Sequence, residues 1–542
     1  MTFLFARPSN GNYNPVLKSQ KLWLWVIIVV GASLRLYGLD FQSLWVDEGL
    51  QFYVASNYGM SEIFYQTNSF HPPLSFIINR AFLQIGESEF FLRLPSALFG
   101  IASLPAFYVL AKKLTSPQVA VLGVFLLAIS PFHVWYSQEG RGYSQLIFFS
   151  LLSSALLIQA LERGKARWWV YYTIIGAAGM YTHVLMVLAL IAQFLWVSLY
   201  HRRRLVAHTA SGAMVFLSFL PWTLLLPWAY HFFERVSGPG TTMATPAGQR
   251  AGFRAGVSLV NVPYTLFAYS SGFSIGPSVA ELHEDRSLGF ILQFVPEILL
   301  VGVVSGTLLV VGIFALYKLF GARSTAFCLL GLCLPVLGAL LYAAIPRTAY
   351  NVRYSIVAFP YFCILLATGL SAIRQKNGWA GVICLLAISA ISLTSLANHY
   401  FNPRYAKEDV KSAVAFWRSV SKNEPLLSYK VDRAVSVYLR DSEEKRHSRI
   451  RGDIVSNIRL FLSETKTPHV YVLLARDWRQ LKENEIRNAF SVDNKRSYPG
   501  VTIIKISRNG VRASPSPSGE SRIIGQTLSL LSFGFANSSI FV

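Results

Sequence analysis

Trp23-Leu24-Trp25-Val26-Ile27-Ile28-Val29-Val30-Gly31-Ala32-Ser33, followed shortly by Ser43-Leu44-Trp45-Val46-Asp47-Glu48-Gly49, decides how the chain is read. The first stretch belongs to an apolar run at 22–39, close to the roughly twenty residues that a membrane-crossing helix needs. The second places two carboxylates just past its end. Ionisable groups at a membrane face are costly unless they have a partner or a task. Residues 22–34, with Lys18 and Lys21 ahead and Gly31-Ala32-Ser33 behind, have signal-peptide character. The apolar pattern continues past Arg35 to Leu39, so an uncleaved first span is expected.

Working outward, the same apolar pattern recurs. Of 542 residues, 53% are hydrophobic and 14% charged, against about 25% charged in a soluble domain. About eleven spans are predicted, near 22–39, 89–111, 118–136, 143–161, 168–181, 183–200, 206–229, 292–317, 325–345, 355–373 and 379–397. Basic residues orient them. Arg7, Lys18, Lys21, Lys112, Lys113, Arg163, Lys165, Arg167, Arg202–Arg204, Lys318, Arg323, Arg374 and Lys376 all fall on one side of that count, which should be the cytoplasm. The net charge of +22 is therefore read as loop charge on a membrane protein, with no nucleic-acid partner. Cys328, Cys333, Cys363 and Cys384 lie in spans and read as small apolar side chains.

The polypeptide divides at about residue 397. Residues 1–397 form the membrane part, with an acidic outer loop at 40–88 and a long Gly- and Ser-rich outer loop at 230–291. Residues 72–86 are too short to cross and are placed in the outer interface, opened by Pro72-Pro73. The stretch 168–200 is split into two helices at Tyr181-Thr182-His183. From 398 to 510 charges become frequent. Segments 425–429, 469–474 and 501–506 look like strands, and 407–419 and 478–490 like amphipathic helices. This is a small α/β domain, extracytoplasmic if the count holds. Residues 511–542 are a linker and tail.

Polar residues collect on the outer side: Asp47, Glu48 and His71; Glu139, Arg141 and Tyr143; His183; and Arg347, Asn351, Arg353 and Tyr354. Guanidinium forks match phosphate oxygens. A carboxylate can take a proton from an attacking hydroxyl as the new bond forms. Together they suit transfer of a sugar from a lipid phosphate to an alcohol, with arginines stabilising charge on the leaving phosphate. Nucleotide sugars are disfavoured, because there is no Asp-x-Asp pair and no Gly-x-x-x-x-Gly-Lys loop. The rival is a transporter or flippase of a lipid-linked substrate. It predicts mid-span charge and internal symmetry, whereas the charge here is placed mostly at the rim.

Leu44-Trp45-Val46-Asp47-Glu48-Gly49, His71-Pro72-Pro73-Leu74, Ser137-Gln138-Glu139-Gly140-Arg141-Gly142-Tyr143, Tyr181-Thr182-His183 and Arg353-Tyr354, in this order, resemble the protein O-mannosyltransferase-like group, glycosyltransferase family 39. More distantly they resemble the aminoarabinose transferases that modify lipid A. The resemblance covers roughly 20–400 and implies a polytopic α-helical GT-C fold and a polyprenyl-monophosphate sugar donor. It also implies an inverting transfer to a glycan, lipid or protein acceptor at the cell (inner or plasma) membrane. It makes Asp47 the catalytic base, supported by Glu48. Arg141, Arg353 and His71 become the donor-phosphate site, with Glu139, Tyr143, His183 and Tyr354 in support. A divalent cation would fall to Asp47, Glu48 and His71. Many relatives read Gln-Glu-Ala-Arg where this chain has Gly140. Protein mannosyltransferases carry extra repeat domains in a central loop; none is visible here, which counts against protein Ser/Thr as acceptor.

Overall fold

The computed structural model describes residues 15–66, 71–225, 258, 260–345, 350–421, 423–465 and 467–511. Uninterrupted apolar sequence with few charges folds into helices that satisfy their own backbone in lipid. They are α1 (Pro15–Leu36), α2 (Val46–Asn57), α3 (Met60–Gln66), α4 (Leu74–Leu83), α5 (Glu89–Leu114), α6 (Pro117–Ala128), α7 (Pro131–Ser137), α8 (Tyr143–Arg163), α9 (Ala166–Thr182), α10 (Met186–Tyr200) and α11 (Leu205–Leu225). After shorter pieces follow α12 (Val295–Ala344), α13 (Phe359–Lys376) and α14 (Gly378–Phe401). Much of the predicted 230–291 loop, Arg347, and all of the 511–542 tail except Val511 lie outside the described residues.

Among the described residues, six helices are long and apolar enough to cross a membrane, or seven if α6 and α7, bent by 61°, make one span. Length and composition therefore do not return the expected eleven. One reason is that the 50-residue α12 turns at Gly321, whose φ of 82° is left-handed. It thereby contains both predicted spans 292–317 and 325–345, joined where only glycine is unstrained. Another is that the pair split at Tyr181-Thr182-His183 yields helices of only 17 and 15 residues.

The bend between α6 and α7 has a local cause. Pro131 cannot extend α6, and the Ser130 side chain accepts from His133 N to start α7. The carbonyls left at the end of α6 are taken by a buried arginine. Arg35 donates to Leu127 O at 2.9 Å and Ala128 O at 3.0 Å, and contacts His133 Nδ1 at 2.8 Å. A charge inside α1 thus serves as the helix cap of its neighbour. Elsewhere the bundle closes through small residues. A Cβ at Gly312 would collide with the Leu365 carbonyl, and one at Gly369 with the Leu308 carbonyl, so α12 and α13 meet backbone to backbone.

The C-terminal part is a five-stranded sheet in the order β2-β1-β3-β5-β4. The strands are β1 (Leu426–Tyr429), β2 (His447–Ile450), β3 (His469–Ala475), β4 (Phe490–Tyr498) and β5 (Val501–Val511). β1, β2 and β3 are parallel; β5 is antiparallel to β3 and β4. Alternate residues feed two cores. Leu426, Leu473 and Ile503 join Val414 and Trp417 on one face; Leu427, Val472 and Ile504 join Ile454 and Ile458 on the other. β2 and β4 escaped sequence reading because they are polar edge strands with little alternation.

This layer is fastened to the loop that carries the acidic pair. Leu44 N donates to Tyr438 Oη at 2.7 Å, Val46 N to Glu408 Oε2 at 3.2 Å, and Lys411 N to Ser43 Oγ at 3.0 Å. α2 packs on the helix Asp432–Tyr438 so closely that a Cβ on Gly49 would lie 2.6 Å from Ala434 Cα.

The glycine contact is testable. Gly312→Val should destabilise the detergent-solubilised protein by about 1–3 kcal/mol, the usual cost of overpacking, and lower its melting temperature. Gly302→Ala, on the same helix with nothing within 4 Å of the new Cβ, should leave it unchanged. Equal melting of Gly312→Val and wild type would refute the close approach.

Candidate active site

α2 opens after the extended Trp45, which puts Asp47 and Glu48 in its first turn. Free backbone N–H groups and the helix dipole favour negative charge there. The two acids nevertheless have different environments.

Glu48 is fully buried. Its carboxylate takes a fork from Arg93, Nε to Oε1 at 2.8 Å and Nη2 to Oε2 at 2.7 Å, and accepts from Gly140 N at 2.8 Å. Lys407 Nζ stands 3.9 Å away. Arg93 spends its remaining donors on the carbonyls of Leu39, Gln42 and Ser43. Burial alone would raise the Glu48 pKa; Arg93, Lys407 and the Gly140 amide outweigh it and hold it at about 2. Both oxygens are committed, so this carboxylate fastens the first loop to α5 and to the turn before α8.

Asp47 is open to the site. Its Oδ2 accepts from Arg353 Nη1 at 3.2 Å, and Oδ1 lies 3.9 Å from Arg476 Nη2. Its main-chain carbonyl accepts from Arg141 Nη1 at 3.4 Å. Burial would raise the carboxyl, but Arg353, Arg141 and Arg476 together hold it below the ordinary aspartate range. Asp47 is therefore ionised at neutral pH, the form a base requires.

The arginines are held from several sides. Arg353 is the second residue of a short 3-10 segment, Val352–Ala358, where the N-cap Asn351 Oδ1 accepts from its backbone N. Its guanidinium stacks over Tyr143 at 5.8 Å and Tyr354 at 5.7 Å. Arg141 Nη2 meets His71 Nε2 at 2.7 Å. A guanidinium has no acceptor, so Nε2 must accept and the His71 proton must sit on Nδ1. Burial first, and then Arg141, hold His71 well below the usual imidazole range. His183 lies edge-on to His71 with ring centroids 5.2 Å apart, and 5.5 Å from Tyr143.

Glu139 is only 2% exposed, and its Oε1 has no hydrogen-bond partner. Burial, opposed by Lys407, pushes its pKa up to about 7. The rest of this turn is committed: Gln138 donates to Tyr37 O, and Gly140 and Arg141 are bonded as above.

The structure thus brings Asp47, His71, Arg141, Tyr143, His183, Arg353 and Tyr354 into one cluster, with Glu48 and Glu139 behind it. The three residues expected to hold a cation, Asp47, Glu48 and His71, are largely engaged with one another's neighbours. Glu48 is consumed by Arg93 and Gly140, and His71 Nε2 by Arg141. Among the described residues no group of three or more His, Cys, Asp or Glu is placed to hold a metal ion. These residues do not fit one, and no step is routed through it.

Sequence reading missed Arg93, Lys407, Glu408 and Arg476. Arg93 was visible as a charge inside a predicted span. Lys407-Glu408 stood at the predicted start of the α/β domain without any link to Asp47. Arg476 follows β3 at a φ of 58°; its Nε donates to Glu408 Oε1 at 2.7 Å and its guanidinium covers Trp45 at 5.3 Å. No local pattern announced it.

A polytopic helical layer, an acidic loop after the first helix and a C-terminal α/β layer make up a fold of the GT-C class. The comparisons agree with that class. The family model described as dolichyl-phosphate-mannose-protein mannosyltransferase matches residues 70–230. YkcB of Bacillus subtilis (strain 168), named as an inferred mannosyltransferase, is 24% identical over 223 residues; the match spans 38% of this chain and 30% of that protein. ArnT of Cupriavidus metallidurans bound to undecaprenyl phosphate superposes with a TM-score of 0.55 at 12% identity, over 92% of this chain and 100% of ArnT. The archaeal oligosaccharyltransferase AglB of Archaeoglobus fulgidus, in complex with an inhibitory peptide and a dolichol-phosphate, gives 0.55 at 12% identity, over 92% and 75%.

Glu139 supplies a pH test. Its folded pKa is raised above the ordinary value of 4.5 to about 7. Its contribution to stability is therefore fully present below about pH 4.5 and lost as pH rises through 7. Glu139→Gln should melt like wild type at pH 4.5 and increasingly above it towards pH 7, with the margin then level to pH 8.5. A margin independent of pH would show that Glu139 does not titrate in this range.

Proposed function

We propose that this chain is a membrane glycosyltransferase of GT-C type. It takes a sugar from a polyprenyl-monophosphate donor and passes it to an acceptor hydroxyl on the extracytoplasmic face, in one inverting displacement. The N-terminus is cytoplasmic and the α/β unit, residues 398–510, extracytoplasmic. The observation that carries this reading is Asp47 Oδ2 lying 3.2 Å from Arg353 Nη1, with Arg141 on the same residue's carbonyl. A proton acceptor and two groups suited to phosphate lie in direct contact. The family model and the lipid phosphates bound by ArnT and AglB support it.

The proposed reaction balances with these groups. The acceptor oxygen attacks the anomeric carbon on the face opposite the phosphate. The bond from that carbon to the phosphate oxygen breaks, and its electron pair stays on the lipid phosphate. Asp47 takes the hydroxyl proton as the new bond forms. Arg353 and Arg141 stabilise the charge that gathers on the leaving phosphate, the electrostatic contribution that usually dominates. Glu48 is a positioning residue: through Arg93 and Gly140 it sets where Asp47 and the Arg141 turn lie.

Reconstituted protein should transfer label from one member of a panel of radiolabelled polyprenyl-phosphate sugars. Asp47→Asn should lower turnover by about 100-fold or more, within the usual range for a positioned base, while donor binding is kept. Full turnover in that variant would remove Asp47 as the base. Arg353→Ala should weaken donor binding by about 10- to 100-fold, the worth of a hydrogen bond to a charged group. Unchanged affinity would remove Arg353 from the phosphate site.

A further inference from the structure

His183 closes α9 and precedes α10, and its ring is 4% exposed. Its Nδ1 receives the backbone N–H of Leu185 at 3.2 Å. A ring nitrogen that accepts carries no proton, so the imidazole is neutral and its single hydrogen is on Nε2. That Nε2 is buried and has no partner. Leaving a buried donor unmade costs about 1–3 kcal/mol, and native interiors rarely accept it without cause. The other ring of the pair is in the opposite state: His71 is the acceptor for Arg141, and the two rings are 5.2 Å apart. Arg141 and Arg353 both act electrostatically on His183. An unfilled N–H therefore belongs to a ring packed on His71 and Tyr143, the side chains that contact Arg141 and Arg353, and an anionic oxygen held there would complete it.

We propose that His183 Nε2–H is a third, neutral hydrogen-bond donor for the lipid phosphate held by Arg141 and Arg353. This rests on the polyprenyl-phosphate reading above. The division of labour is physically sensible. Two fixed cations supply charge; a neutral donor supplies direction without adding a third positive charge that would hold the product phosphate too tightly. The ring cannot swing away, because Nδ1 is engaged by the start of α10 and His183 O accepts from Met186 N at 3.0 Å.

Two substitutions separate this role from simple capping. In Asn the side-chain amide reaches only as far as Nδ1, so His183→Asn keeps the cap and removes the outer donor. In Gln the amide nitrogen reaches the position of Nε2, so His183→Gln restores the donor and weakens the cap. The probe is undecaprenyl phosphate, with undecaprenol as the uncharged comparison, bound to the full-length protein in detergent. His183→Asn should lose about 10- to 100-fold in affinity for the phosphate, with undecaprenol binding and melting temperature unchanged. His183→Gln should stay within about threefold of wild type, since an amide N–H replaces an imidazole N–H of like strength. If His183→Asn binds the phosphate like wild type, or loses phosphate and alcohol equally, His183 is a cap and the proposal fails. If wild type itself does not prefer the phosphate to the alcohol, the lipid-phosphate reading fails first.

Discussion

The Glu48–Arg93 pair is the constraint on which the site depends. Two opposite charges with almost no exposure are stable only when every polar atom around them is satisfied. Here Arg93 ties down three carbonyls of the first loop, and Glu48 reaches across to Gly140. One ion pair therefore joins the end of α1, the start of α2, α5 and the turn before α8. Asp47, one residue away, inherits its position from that joint. It is left free to face Arg353 because its neighbour does the fastening.

This explains why two adjacent acids that look alike in sequence differ in structure. Consecutive residues on a helix point about 100° apart. Glu48 is turned towards Arg93 and Asp47 towards Arg353 and Arg476. Sequence reading could name both, but not which faces inward, because that depends on Arg93, forty-five residues on. His71, Arg141 and Arg353 were legible as basic groups on one membrane side. The proton positions on His71 and His183 were not, since each is set by a single partner that only the tertiary structure supplies.

The fold was legible to a similar depth. Apolar continuity gave the helices, and the break at Tyr181-Thr182-His183 gave the end of α9. The strands at 425–429, 469–474 and 501–506 were visible because they are buried and apolar. The span count was not recoverable in the same way. Gly321 reads as one glycine among 37, yet its left-handed backbone makes the turn within α12 that separates two predicted spans. Arg35 read only as a charge within the first span; the structure makes it a partner for the last carbonyls of α6. Both are long-range facts with no local signature.

The fastening of the loop 42–46 to the C-terminal sheet has one further consequence. The main-chain amides of Leu44 and Val46 find their acceptors in Tyr438 and Glu408, side chains about four hundred residues downstream. A ribosome releases the acidic loop long before those acceptors exist. Until the C-terminal sheet has emerged and condensed, those two amides lack their acceptors and the acidic loop is unfinished.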